Sequence, residues 1–246
     1  MRKAHIDKFL SENKTITITF VGDSITHGLN FCTADETYVA VFASLLAKEF
    51  KDASVYRYDG VVVDEQSPLS HYDEVLVQTG NLGRINVIRS GVGGNTVARV
   101  LSRFDDYTSL LPSEKSDFIF TMFGINDALK PDPNKYVTAD VFKENYNKLI
   151  NDLKAYYQQA EIILMTATTS PCSVKDYNKK TCELAEKYKL SVIDLYGLWN
   201  DHYNESAPNF GYGDWLSDGT GDPWHPSPIG AKNIAQFTYD VFFENQ

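Results

Sequence analysis

The sequence predicts an α/β fold in which helices cover both faces of a parallel β-sheet. Short apolar or β-branched runs alternate along the chain with segments whose apolar residues recur at helical spacing. Alternation of this kind is typical of right-handed βαβ units, which pack their helices on both faces of one sheet. Hydrophobic residues make up 43% of the 246, and no linker or repeat divides the chain, so we expect a single domain over residues 1–246.

Five apolar runs are predicted to be strands. They lie at residues 15–21, 85–89, 118–123, 162–165 and 190–195. Helical periodicity predicts four longer helices and a short one that ends near residue 103. The longer helices lie at residues 37–50, 139–157, 174–188 and about 228–243. Continuous apolar runs are typical of strands buried on both faces, which favours a parallel sheet.

Two segments do not fit this alternation. Residues 55–84 hold short Tyr-rich and Asp-rich runs, and we interpret them as an inserted hairpin or excursion. Apolar residues in this insertion could form a contact between subunits, so a homo-oligomer remains an open alternative. Residues 196–224 are predicted to be a long irregular segment. They hold all three tryptophans, so we expect an ordered loop with a functional role.

Charge and cysteine content narrow the class of protein. The net charge of −10 argues against nucleic acid or an anionic membrane as a partner, because both need a basic surface. No apolar stretch approaches the roughly 18 residues of a membrane span, and no signal peptide is visible. Cys32, Cys172 and Cys182 are few and widely spaced, which is typical of ordinary thiols in a reducing compartment. We therefore expect a cytoplasmic location.

Polar residues follow the first three predicted strands. Ser24 ends Gly-Asp-Ser after the first strand, Gly91 lies in a glycine-rich turn after the second, and Asn126 follows the third. Ligands of parallel sheets bind beyond the carboxyl ends of the strands. A serine there can act as a nucleophile, a glycine turn can present backbone N–H groups, and an Asn amide can donate to an oxyanion.

Each of these signals is weak when taken alone. The Gly22–Thr26 segment departs from the G-x-S-x-G elbow at Thr26, and Asp and Ser are also common helix caps. The glycine-rich segment at 90–94 can also be interpreted as a dinucleotide-binding loop, although the G-x-G-x-x-G spacing is absent, or as a plain tight turn. Asn126 can also be interpreted as a residue that caps a helix or a turn. Their common position at one sheet edge favours a shared site.

Asp222 and His225 form the strongest local signal. Residues three apart face the same side of one turn, so the carboxylate can hold one imidazole nitrogen while the other acts as a base toward Ser24. His27 is the rival base, because it lies three residues after Ser24. Metal ligation by Asp222 and His225 is a further alternative, although no second His-rich cluster accompanies them.

Taken together, these segments resemble the SGNH hydrolases, also called the GDSL esterase/lipase family. The resemblance spans residues 22–226 and therefore nearly the whole chain. Many members carry Asn two residues before the glycine of the second block, where this chain has Arg89; we expect an effect on local scaffolding and not on the reaction. The insertion at 55–84 is also larger than in minimal members. The four matching blocks are Gly22-Asp23-Ser24, Gly91 within 90–94, Gly124-Ile125-Asn126-Asp127 and Asp222-Pro223-Trp224-His225-Pro226.

The resemblance implies a flavodoxin-like three-layer sandwich with a five-stranded parallel sheet. It implies Ser24 as nucleophile, His225 as base and Asp222 as the group that orients the base. The oxyanion hole would comprise the backbone N–H groups of Ser24 and Gly91 and the side chain of Asn126. No metal or organic cofactor is implied.

The implied activity is that of a carboxylic ester hydrolase acting on a small-molecule ester. Because the family that the chain resembles includes enzymes that remove acetyl groups from carbohydrates, we expect short-chain, foremost acetyl, esters, with an acetylated carbohydrate as the leading substrate. Aromatic residues before Asp222 can stack on sugar rings, line an acyl pocket, or serve only to pin a long loop. A lysophospholipase-like or thioesterase-like acyl hydrolase and an acyltransferase remain alternatives. A binding module without catalytic activity is a further alternative. The presence of all five residues, Ser24, Gly91, Asn126, Asp222 and His225, argues against it.

Overall fold

A computed structural model of the chain describes residues 1–28, 31–63, 67–109, 115–130, 132–168, 174–206 and 225–244. These residues form one mostly parallel seven-stranded sheet between two layers of helices. The strands are β1 Thr15–Gly22, β2 Ala53–Val62, β3 Leu69–Gln78, β4 Leu82–Gly91, β5 Phe118–Met122, β6 Glu161–Met165 and β7 Ser191–Ile193. The α/β class predicted from the sequence is confirmed.

The helices alternate with the strands as the periodicity predicts, and the described residues also form helices that it did not predict, at 2–11, 24–27, 104–109 and 195–206. The helices are α1 Arg2–Ser11, α2 Ser24–His27, α3 Tyr38–Glu49, α4 Val97–Ser102, α5 Phe104–Ser109, α6 Ala139–Tyr156, α7 Lys175–Tyr188, α8 Leu195–Ser206 and α9 Pro228–Glu244. Helix α8 corrects the expectation of an irregular segment beginning at 196. The rest of that segment, 207–224, lies outside the described residues.

The sheet order is β3-β2-β4-β1-β5-β6-β7. All neighbouring strands are parallel except β2 and β3, which form an antiparallel hairpin. The expectation of five strands was therefore wrong, because most of the 55–84 segment belongs to the sheet. Strand β2 is a parallel neighbour of β4, and β3 forms the outer edge. The sequence concealed β2 because Arg57 and Asp59, which are buried, interrupt its apolar run.

Aromatic packing joins the centre of the sheet to the helices on one face. Phe20 of β1 is fully buried and stacks on Phe120 of β5, with ring centroids 4.5 Å apart and planes at 10°. Phe42 of α3 packs edge-on against Phe20 at 5.2 Å, and Phe242 of α9 packs against Phe120 at 5.4 Å. On the other face Leu149 and Leu153 of α6 are buried. The central strands are thus fixed on both faces.

Within the ranges given above, no helix has the length and apolar character needed to cross a membrane.

We expect Phe20→Ala to lower the free energy of unfolding by about 3–5 kcal/mol, since it removes a fully buried ring from the centre of this cluster. Urea denaturation followed by circular dichroism measures the change. Val63→Ala is the control, because Val63 is 81% exposed and its truncation should alter stability by less than about 0.5 kcal/mol. A loss below 1 kcal/mol for Phe20→Ala would contradict the assignment of this cluster as the core.

Candidate active site

Three neighbouring strands deliver the predicted polar residues to one edge of the sheet. Strand β1 lies between β4 and β5, and its last residue, Gly22, is in register with Gly91 of β4 and Met122 of β5. All three strands are parallel, so the segments that follow them leave the sheet at the same edge. Ser24 and Asn126 lie on these segments, and Gly91, which the sequence placed just after a strand, is the last residue of β4.

Ser24 is the first residue of the short helix α2, directly after β1. Asp23 is the N-cap, and its Oδ1 accepts a hydrogen bond of 2.9 Å from the Ile25 amide. Gly28 ends the helix in the left-handed conformation, with φ +74° and its amide donating to the Ser24 carbonyl at 2.8 Å. These contacts fix the orientation of Ser24, whose side chain is partly exposed at the sheet edge.

His225 reaches Ser24 from the far end of the chain. Its Nε2 lies 2.8 Å from the Ser24 Oγ, within hydrogen-bond distance, although 201 positions separate the two residues. The structure thus brings the predicted nucleophile and the predicted base together. Asp222, the predicted orienting carboxylate, lies outside the described residues.

Gly91 brings the end of β4 into backbone contact with α2. A Cβ built on Gly91 would overlap the backbone nitrogen of His27, so a glycine is required for this close approach. The amide of Val92 donates to the Gly22 carbonyl at 3.2 Å and extends the pairing of the two strands beyond the sheet. The backbone at Gly91 is therefore held beside the helix that begins at Ser24.

Asn126 is buried where the chain leaves β5. Its Nδ2 donates a hydrogen bond of 3.0 Å to the Asn95 carbonyl, in the segment that follows β4. An amide nitrogen carries two hydrogens, so this bond orients the group and leaves a second donor. The side chain of Asn95 in turn contacts the hydroxyl of Tyr107. The Asn126 amide is thus held between the ends of β4 and β5.

His27, the rival base, is buried against the sheet. The pKa of its imidazole is lowered to about 4, chiefly by burial and also by the nearby Arg89 guanidinium, whereas Asp59 opposes the shift. His27 is therefore neutral at pH 7. It is His225 whose Nε2 lies on the Ser24 hydroxyl, which favours His225 as the base.

An ionic cluster that the sequence did not predict lies beneath α2. Arg89 is 1% exposed; its Nε donates to Asp59 Oδ1 at 3.0 Å and its Nη1 donates to the His27 carbonyl. Arg57 donates to the same Asp59 carboxylate at 2.9 Å, and its Nη2 reaches Asp35 at 3.1 Å. Arg89 therefore ties the end of α2 to the sheet, a contact that fits the scaffolding effect expected of this position.

The residues of this cluster carried no motif that could have revealed them. The only available signal was the spacing of Arg57 and Asp59 on the same face of a strand, two residues apart in the segment interpreted as an insertion. Their partner Arg89 lies 30 residues further along the chain.

Two buried carboxyl groups flank the site. Burial raises the pKa of Asp23 to about 7, although the Ile25 amide partly opposes the shift. The pKa of Asp127 is raised to about 8, chiefly by burial and to a smaller extent by the neighbouring Asp23, whereas the Val97 amide opposes the shift. The Oδ1 of Asp127 accepts a bond from the Val97 amide, whereas its Oδ2 is buried without a partner among the described residues. At pH 7 the Asp127 carboxyl is therefore held largely in the neutral form, whereas Asp23 lies close to the midpoint of its titration.

Among the described residues, no group of three or more His, Cys, Asp or Glu side chains is placed to hold a metal ion. Cys32 is a buried free thiol and Cys182 an exposed one, while Cys172 lies outside the described ranges.

The family assignment follows from a comparison with protein-family models. The model of the GDSL-like Lipase/Acylhydrolase family matches residues 58–232, more than half of the chain. The protein belongs to this family. The matched region begins after Ser24, so the placement of that residue rests on the geometry described above. No curated protein matches the chain.

Solved structures of esterases share the fold. The acetyl xylan esterase AlAXEase is similar with a TM-score of 0.65 and 18% identity, covering 92% of this chain and 99% of its own. An acetylxylan esterase from Geobacillus stearothermophilus is similar with a TM-score of 0.62 and 22% identity, covering 93% and 94%. At this level of sequence identity, the similarity shows a shared fold and nothing further.

The buried Asp127 predicts a pH dependence of stability. Its folded pKa of about 8 exceeds the ordinary value of 3.8, so the folded state binds the proton more tightly, and stability falls as pH rises from about 4 to 8. Asp127→Asn keeps the acceptor and cannot ionise. We expect the loss of unfolding free energy between pH 5 and pH 8 to shrink by at least about 1.4 kcal/mol, the equivalent of one pKa unit.

Urea denaturation at the two pH values measures this difference. Asp7→Asn, at an exposed position in α1, is the control and should keep the wild-type loss. An Asp127→Asn protein that loses as much stability as the wild type would show that Asp127 is ionised in the folded state at both pH values.

Proposed function

We propose that the protein is a serine esterase that hydrolyses short-chain esters, foremost acetyl esters, with an acetylated carbohydrate as the leading substrate. The observation that carries the proposal is the 2.8 Å contact between His225 Nε2 and Ser24 Oγ in a member of an acylhydrolase family. A serine hydroxyl becomes an effective nucleophile when an imidazole within hydrogen-bond reach removes its proton.

The first half of the reaction acylates Ser24. His225 Nε2 takes the hydroxyl proton as Oγ attacks the ester carbonyl, and a tetrahedral oxyanion forms. When this intermediate collapses, the bond to the alcohol breaks and His225 gives its proton to the leaving oxygen. The product is an ester of Ser24 and a free alcohol. Asp222 is assigned the orienting role toward His225 in this scheme.

The second half releases the acid. His225 takes a proton from water as the water oxygen attacks the acyl-enzyme, and the second tetrahedral intermediate collapses to regenerate the Ser24 hydroxyl. Transfer to an alcohol in place of water would make the protein an acyltransferase. Since both outcomes share one acyl-enzyme, product analysis with an added alcohol acceptor distinguishes them.

Three donors are assigned to the oxyanion. As the first residue of α2, Ser24 has a backbone N–H without an intrahelical carbonyl partner. The Gly91 backbone lies against the same helix, and the second hydrogen of the Asn126 amide is not needed for its bond to Asn95. Donors fixed before the reaction stabilise the developing charge without reorganisation.

The choice of substrate has two supports. The solved structures of similar fold include proteins described as acetyl xylan esterases. The segment before Asp222 is rich in aromatic residues, which suit contact with sugar rings. Longer acyl chains would instead favour a lysophospholipase-like or thioesterase-like activity, so the preference for acyl length separates these alternatives.

We expect Ser24→Ala to reduce hydrolysis of p-nitrophenyl acetate by at least about 10⁴-fold while the protein stays folded, because the nucleophile is lost. The wild type should turn over the acetate ester fastest and lose activity as the acyl chain lengthens. Ser102→Ala, at an exposed serine of α4, is the matched control and should retain full activity. A Ser24→Ala protein with wild-type turnover would refute the mechanism.

We expect Asn126→Ala to lower kcat by roughly 10²–10³-fold with a small change in KM, because an oxyanion donor acts mainly in the transition state. Steady-state kinetics with the acetate ester tests this, and thermal melting checks that the fold persists. Equal proportional changes in kcat and KM, or a loss under threefold, would instead assign Asn126 to a turn cap.

A further inference from the structure

We propose that Phe31 is a positioning residue for His225. Its ring fixes the plane of the imidazole and stabilises the imidazolium that forms when Ser24 gives up its proton. The inference rests on the proposed function, because it concerns the base of the same site.

The contact between the two rings is face-on. The centroids of Phe31 and His225 lie 3.5 Å apart and the ring planes differ by 7°. Neutral aromatic pairs prefer offset or edge-on arrangements at centroid distances of about 4.5–7 Å. A cation over the ring face is attracted by the negative quadrupole of the ring, so face-on overlap suits the protonated form of the imidazole.

The ring of Phe31 is tied to the nucleophile through the backbone. The Gly28 amide donates to the Ser24 carbonyl at 2.8 Å, and the Phe31 amide donates to the Gly28 carbonyl at 3.2 Å. Two consecutive hydrogen bonds therefore connect the first residue of α2 with the residue that covers the base. A shift of Phe31 relative to Ser24 would break one of them.

The neighbouring residues make a second contact between the same two segments. Cys32 Sγ lies 3.9 Å from the Pro226 carbonyl oxygen, so consecutive residues on one segment contact consecutive residues on the other. Further along, Asp35 pairs with the buried Arg57, and the Thr37 side chain caps α3. The segment from Phe31 to Thr37 is thus held to the sheet and to α3.

This arrangement restricts the rotation of the imidazole. Since Nε2 lies in the ring plane, a ring held flat against Phe31 keeps Nε2 directed at Ser24 Oγ. The benefit grows in the transition state, because the imidazole gains a positive charge there. Loss of the aromatic face should therefore lower the rate of proton removal more than it lowers substrate binding.

Phe31→Leu tests the proposal, because leucine keeps an apolar side chain and lacks the aromatic face. Two readouts are needed: the rate at which a fluorophosphonate labels Ser24, and kcat and KM for p-nitrophenyl acetate and butyrate. We expect the labelling rate and kcat to fall roughly three- to tenfold, with KM changed less than twofold. The factor should be the same for both esters, because the ring acts through His225.

Two further variants serve as controls. Phe31→Tyr retains the aromatic face and should stay within twofold of the wild type. Phe9→Leu removes a phenylalanine that packs on His5, 4.5 Å away in α1, and should change neither readout. Should Phe31→Leu melt well below the wild type, Phe31→Met makes the same loss of aromatic face with a more adaptable side chain.

Wild-type rates in Phe31→Leu, or equal losses in Phe31→Leu and Phe31→Tyr, would overturn the proposal. A loss that differs between acetate and butyrate would also overturn it, since that result assigns Phe31 to the acyl pocket. Failure of the wild type to be labelled or to hydrolyse any ester would overturn the proposed function itself, and the inference with it.

Discussion

The parallel pairing of β1 with β4 on one side and β5 on the other is the constraint on which the candidate site depends. It places Gly22, Gly91 and Met122 in one register, so three loops begin at the same level of the sheet. The backbone contact between Gly91 and α2 then sets the distance between two of these loops. Side chains from distant parts of the chain can meet within hydrogen-bond distance because the strands beneath them cannot slip without turning buried residues to the wrong face.

The layer beneath the site contains two kinds of buried ionisable group: an ion-paired cluster and carboxyl groups with a raised pKa. Arg57 and Arg89 share the carboxylate of Asp59 in a buried ion-paired cluster. Burial raises the pKa of the carboxyl groups of Asp23 and Asp127. The cluster lies under the end of α2, whereas Asp23 lies at its beginning and Asp127 follows β5. Helix α2 is therefore anchored at both ends by polar contacts, whereas the centre of the sheet is held by stacked aromatic rings.

The sequence predicts those parts of the molecule whose local pattern agrees with their final environment. Strands β1, β4 and β5 are almost wholly buried and contain apolar or β-branched runs, and recognisable motifs lie at or after their ends, so the fold class and the meeting of Ser24 with His225 could be foreseen. Strands β2 and β3 could not, because the charged Arg57 and Asp59 of β2 are buried by pairing with each other and with Arg89 of β4. Strand β3 lies at an edge with mixed exposure. The sequence also gave no indication of a role for Phe31, because that role depends on contact with His225, which lies 194 positions further along the chain.

The outer position of β3 has a consequence for the behaviour of the protein at high concentration. An edge strand presents backbone donors and acceptors that a second chain can extend into a continuous sheet. On β3 this edge carries the exposed side chains of His71, Asp73 and Glu74, on a chain whose net charge is −10. Two molecules that approached through this edge in antiparallel fashion would bring their carboxylates together. The hairpin thus widens the sheet by two strands and ends it with a charged border that opposes fibrous growth.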